Sequence, residues 1–115
     1  MIFKMINLDK PRKLRFGHKA IKMANELLGK NLIDLDLRNI TSDELEMLFY
    51  CGMKADDDEL ELSKMVDILD CADFGDIYKI LVELLAETYG GKEAKEKAKK
   101  ETVVAITEHN AEKKQ

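Results

Sequence analysis

The sequence predicts a mainly α protein: a small helical domain of about four helices with a short N-terminal β-hairpin and a polar C-terminal tail, helical or disordered. Three observations predict it. Apolar residues recur at spacings of three and four through 20–28, 45–51 and 74–88, which places them on one face of a helix. Two runs of strand formers at the N-terminus flank Asp9-Lys10-Pro11, with the chain's single proline between them, a hairpin signal. Beyond Gly91 the apolar spacing stops and charge takes over. These boundaries divide the chain into a helical domain at 1–91 and a charged flexible tail at 92–115.

The hairpin joins residues 2–8 to 12–16, where charged and apolar side chains alternate from Lys13 onward. Two strands alone are marginal, so Leu14 and Phe16 are expected to lie against a helix. The first helix runs over 17–28 with Ala20, Ile21, Ala24, Leu27 and Leu28 inward, and Gly29 stops it. Residues 31–39 alternate Leu or Ile with Asp or Arg over too few positions to separate an extended segment from a short turn. Thr41 and Glu44 form a capping box that starts the second helix, which continues to Gly52 or Met53. Ser63 is expected to cap a third helix over 64–71, with Met65, Val66, Ile68 and Leu69 inward. Asp73 is expected to cap the fourth, which ends at Gly90-Gly91. Its apolar stripe is the most regular in the chain, which marks it as the backbone of the core or as an interface with another copy. The tail carries Lys92 to Lys100 without an apolar face and then Val103-Val104-Ala105-Ile106, so it reads as a frayed helix or as disordered until it meets a partner.

Length and composition narrow the function. At 115 residues and 45% hydrophobic content the chain is one domain able to bury a core. No run approaches the roughly 18 apolar residues of a membrane span, and the start lacks the pattern of a secretory leader. A cytoplasmic protein is therefore expected. The net charge of −4 is segregated: +6 over 1–30, −12 over 31–91 and +2 over 92–115. An acidic middle argues against a nucleic-acid groove. The basic cluster Lys10, Arg12, Lys13, Arg15, Lys19 and Lys22 reads as a solvated face that complements that middle.

Cys51 and Cys71 sit among apolar neighbours without a CxxC spacing, so both read as buried free thiols. The acidic run 55–62 lacks the glycine and glutamate that a calcium loop requires, and reads as a solvated linker. His18 and His109 have no partners in sequence that would frame a catalytic site, and the phosphate-loop, nucleophile-elbow and zinc-helix motifs are all missing. The six methionines are spread over separate elements, as core packing would spread them. Neither an enzyme nor a bound cofactor or metal is expected.

The order of the pieces carries a resemblance. The step Leu14-Arg15-Phe16-Gly17, the helix from His18 to Leu28, the helix from Thr41 with its Phe49-Tyr50-Cys51-Gly52-Met53 end, the acidic link 56–61 and Leu62-Ser63-Lys64-Met65-Val66-Asp67-Ile68-Leu69 together resemble the tail assembly chaperones of long-tailed (siphovirus-like) bacteriophages and prophages. The resemblance spans roughly residues 2–90. It implies a non-enzymatic protein that binds the tape measure protein and helps recruit tail tube protein subunits, with a longer form made by ribosomal frameshifting. Lys99-Lys100 and Lys113-Lys114 are compatible with an A-rich slippery site. A chaperone of a long helical client needs an apolar face. Leu45, Leu48, Phe49, Phe74, Ile77, Leu81, Leu84 and Leu85 are the residues expected to bind the client or, in a homo-oligomer, another copy. The alternative is a small helical DNA-binding or regulatory protein that reads bases with the helix beginning at Thr41, where Asp43, Glu44 and Glu46 stand in place of the usual Arg, Lys, Asn or Gln.

Overall fold

A computed structural model describes residues 2–89. The expectations for 92–115, His109 among them, fall outside those residues. Two antiparallel strands, β1 (Lys4–Asn7) and β2 (Pro11–Leu14), are followed by α1 (His18–Leu28), α2 (Ser42–Lys54), α3 (Met65–Leu69) and α4 (Phe74–Thr88). The mainly helical class, the four helices and the N-terminal hairpin are as the sequence predicts.

The hairpin pairs Lys4 with Leu14, Met5 with Lys13, Ile6 with Arg12 and Asn7 with Pro11. Pro11 therefore opens the second strand, where its missing N–H costs little. The turn is closed by Leu8 N donating to the Lys10 carbonyl at 3.1 Å. Alternation puts Ile6, Arg12 and Leu14 on one buried face, continued by Phe16. Met5 and Phe3 lie exposed, with Lys13 Nζ 4.6 Å from the centre of the Phe3 ring.

α1 ends at Gly29, whose φ of 71° is the left-handed cap that glycine adopts without strain. The 31–39 segment, undecided from sequence, forms two 3-10 turns, Leu32–Asp34 and Leu37–Asn39. The first is held by Asn25 Oδ1, which accepts from Leu32 N at 2.7 Å. The second is capped by Asp36, which accepts from Arg38 N and Asn39 Nδ2. The capping box of α2 is present in both directions: Glu44 N donates to Thr41 Oγ1 and Thr41 N to Glu44 Oε1.

α3 departs from expectation. Ser63 makes no cap; it lies inside a 3-10 turn, Leu62–Lys64, that leads into a helix only five residues long. The chain tightens early because Leu60 is drawn into the core while Lys54 Nζ holds the carbonyls of Asp58 and Leu60 at 2.7 and 2.8 Å. One helical turn buries Met65, Ile68 and Leu69 but leaves Val66 exposed, and Leu27 of α1 is likewise exposed rather than inward. Asp73 precedes α4 without a side-chain cap bond.

The core gathers residues from every element, with Leu14, Leu48, Phe49, Met53, Met65, Leu81 and Leu84 fully enclosed. Of the described elements α2 is the hub, packed against α1, β2 and α3. The expectation that α4 forms the core's backbone is therefore corrected: α4 contributes Ile77, Leu81, Leu84 and Leu85 to a core centred on α2.

Candidate functional site

Two stretches 35 residues apart in sequence meet where β2 ends on the last turn of α2. Arg15 N donates to the Gly52 carbonyl at 2.9 Å. Leu14 and Phe16 lie so close over Gly52 that a Cβ there would collide with Leu14 Cδ1 and stand 3.2 Å from Phe16 Cζ. Gly52 thus serves a close approach of side chains to a helix backbone, with an ordinary helical conformation of its own. The joint fixes the hairpin to the domain.

Beside it Arg12 is the one buried charged residue among the described ones. Its Nε and Nη2 donate to the two oxygens of Asp9 at 2.9 and 2.8 Å, and its Nη1 donates to Asp57 Oδ2 at 2.7 Å. These charge-assisted bonds compensate the cost of burying a guanidinium. They also hold the Asp9 and Asp57 carboxyls below the usual carboxylate range and raise Arg12. The expectation of a solvated Arg12 and a wholly solvated 55–62 linker is corrected, since Asp57 clasps the hairpin and Leu60 is core. The signal was in the strand: Arg12 has the parity of Leu14 and Phe16, so it shares their face. Elsewhere the basic first segment does meet the acidic middle at the surface, through Lys30 and Glu44 at 3.0 Å.

An open cleft of about 650 Å³ runs beside this clamp, lined by Arg12, Asp57, Leu60, Lys64, Ile68 and Cys71 among others. Cys71 is exposed, which corrects the expectation that it is buried; its thiol donates to the Asp67 carbonyl at 3.6 Å. Cys51 is buried as expected, and burial pushes its thiol up to about 11. Among the described residues no cluster of His, Cys, Asp and Glu has the geometry to hold a metal ion, and no helix is long and apolar enough to cross a membrane.

The residues expected to bind a client or another copy are mostly core. Leu45, Leu48, Phe49, Ile77, Leu81, Leu84 and Leu85 are all buried, none more than 6% exposed. As a presented face that set is corrected: all seven belong to the buried core. Phe74 alone stands at the surface, 60% exposed, its ring stacked on Tyr78 with centroids 6.2 Å apart and planes 15° from parallel. The three-and-four spacing begins at the first residue of α4, one turn before the core does.

Compared with known protein families, curated proteins and solved structures, the chain matches none.

Proposed function

We propose that this protein is a tail assembly chaperone of a long-tailed bacteriophage or prophage, a non-enzymatic protein that acts in the host cytoplasm, binds the tape measure protein and helps recruit tail tube subunits. One observation carries the reading. The Leu14-Arg15-Phe16-Gly17 step and the Phe49-Tyr50-Cys51-Gly52-Met53 helix end, two separate pieces of the resemblance, pack on each other through Arg15 N, Leu14, Phe16 and Gly52. Short motifs coincide by chance more easily than short motifs that also form one joint. The glycine in the helix end then has a physical reason, the side chains of the leucine and phenylalanine laid over it.

The departure lies in the third piece, where the "leucine, serine" step forms a 3-10 turn rather than a cap. A client site on this chain must also use surface residues rather than the buried set.

The test is the gene's surroundings followed by co-expression. The reading expects an overlapping reading frame downstream, then a very long helix-rich one whose product stays soluble only when this chain is made with it. Metabolic or regulatory neighbours, or a long product whose solubility does not change, would overturn it.

A further inference from the structure

The hairpin leaves one of its edges open. Leu8 N donates to the Lys10 carbonyl, and the ladder alternates from there: Ile6 exchanges bonds with Arg12 and Lys4 with Leu14, while Met5 and Asn7 turn their N–H and C=O groups away from β2. The same alternation turns Arg15 outward at the end of β2, and Arg15 N does meet the Gly52 carbonyl of α2. That side is closed. On the β1 side no described backbone group pairs with Met5 or Asn7. Native proteins blunt such an edge with a proline, a bulge or an exposed lysine. β1 has neither proline nor bulge, and its Lys4 is turned to Glu87 at 3.2 Å.

The open edge faces a cleft of about 450 Å³ between β1 and α4. Met5, Ile6 and Asn7 line one wall, and Ala72, Ile80 and Glu83 stand on the other. The outer face of the strand is apolar as well, with Phe3 46% and Met5 55% exposed. A free strand edge beside a helix is a setting in which an extended segment adds to a sheet. What fills it must be apolar on both faces, since one face meets Ile80 and Ala72 and the other lies by Phe3 and Met5.

One segment of the sequence has that composition. Thr102-Val103-Val104-Ala105-Ile106-Thr107 sets four consecutive apolar residues, three of them β-branched, between two threonines, all but the alanine being residues that favour strands. The ion pair of Lys4 with Glu87 sets the last turn of α4 beside the start of β1, and Tyr89 packs against the core. The chain therefore leaves the described fold next to the open edge. From there the 12 residues 90–101 reach up to about 40 Å, whereas the four residues of β1 span about 13 Å. A segment tethered by so short a linker competes at an effective concentration in the millimolar range, well above that of a second copy in dilute solution.

We infer that residues 102–107 add a third strand to the hairpin by pairing with the outer edge of β1 in the cleft beside α4. The Met5 and Asn7 amides donate to this strand. Val104 and Ile106 fall on one of its faces and Val103 and Ala105 on the other, so that each face meets apolar surface.

The test is amide hydrogen exchange by NMR on the full chain. Met5 and Asn7 are exposed residues, and their amides exchange freely if nothing pairs with them. The expected result is protection of both by roughly tenfold or more, with cross-strand NOEs from β1 to 102–107. Val104→Pro combined with Ala105→Pro removes the N–H groups on both sides of the added strand, and this variant should abolish the protection. Lys95→Pro combined with Glu96→Pro, placed between α4 and the segment, should leave it unaltered. Exchange of the α2 amides checks that the domain stays folded in each variant. Measurements at about 20 μM and about 500 μM protein, both below the millimolar effective concentration, separate the chain's own segment from that of a second copy. Free exchange of Met5 and Asn7 in the unaltered protein, protection that survives the change at 104 and 105, or protection that grows with protein concentration would overturn the inference. The gene-neighbourhood result would be untouched by that failure.

Discussion

One methyl group on the last turn of α2 tests how the hairpin is held. Gly52→Ala sets two opposing effects against each other. Alanine in a helix gains up to about 1 kcal/mol over glycine. Against that, the new Cβ would collide with Leu14 Cδ1 and stand 3.2 Å from both Leu14 Cγ and Phe16 Cζ, closer than the roughly 3.5–4.0 Å at which carbon atoms rest. Leu14 is 0% exposed, so it cannot turn aside without displacing a neighbour. Overpacking of this kind costs about 1–3 kcal/mol, so with the helix gain set against it the net expectation is a loss of up to about 2 kcal/mol. Gly75→Ala is the control. Gly75 also lies in a helix, α4, and a Cβ there meets nothing within 4 Å, so the same substitution should stabilise by about 0.5–1 kcal/mol. Urea unfolding followed by far-UV circular dichroism should move the two midpoints in opposite directions, with Gly52→Ala lower by about 1 M. A Gly52→Ala that stabilises as much as Gly75→Ala would refute the packing of Leu14 and Phe16 on the α2 backbone, and with it the joint on which the functional proposal rests.

Thr41→Ala removes one half of the capping box and should lower stability by about 1 kcal/mol, read as a drop of about 4–8 °C in Tm. Arg12→Met should lower Tm and change the acid limb of the stability curve. Asp9 and Asp57 are held below 3.8 chiefly by hydrogen bonds from Arg12, so their contribution is present above that value and is lost as pH falls through the depressed pKa values. Below about pH 4 the wild type should therefore lose stability more steeply than the variant, and parallel curves would show that the clamp adds nothing. A thiol-reactive aromatic disulfide at pH 8 should modify Cys71 quickly and Cys51 only on unfolding, since Cys51 is buried with its thiol raised to about 11; fast reaction of both would place Cys51 at the surface.

What was legible in the sequence was what a few neighbouring residues decide. The capping box needs only Thr41 and Glu44, the left-handed stop needs Gly29, and the α4 stripe is written in its own spacing. What was not legible depends on distant partners. Ser63 has the chemistry of a cap, but Leu60 and Lys54 fix the chain before it and set the geometry there. The exposure of Cys71 follows from α3 stopping after one turn. Arg12 could have been placed, since the period of a strand puts it with Leu14 and Phe16, but its charge suggests solvent until Asp9 and Asp57 are brought alongside. The expected client face failed for a general reason. A three-and-four stripe says that something covers it and leaves open whether the cover comes from the same chain. For Leu48 and Phe49 it does, because α1, β2 and α3 all converge on α2.

The segregation of charge finds its use in the same geometry. Arg12, Lys30 and Lys4 from the basic first segment engage Asp57, Glu44 and Glu87 of the acidic one, so part of the opposition between the two segments is resolved within the fold. The cleft beside Arg12 is a weaker place to look for a partner, because its most concentrated charge is already matched and its apolar lining, Leu60 and Ile68, is buried. Among the described residues Asp67, Asp70, Asp73 and Asp76 make no ion pair, and Phe74 stands exposed one turn before the core begins.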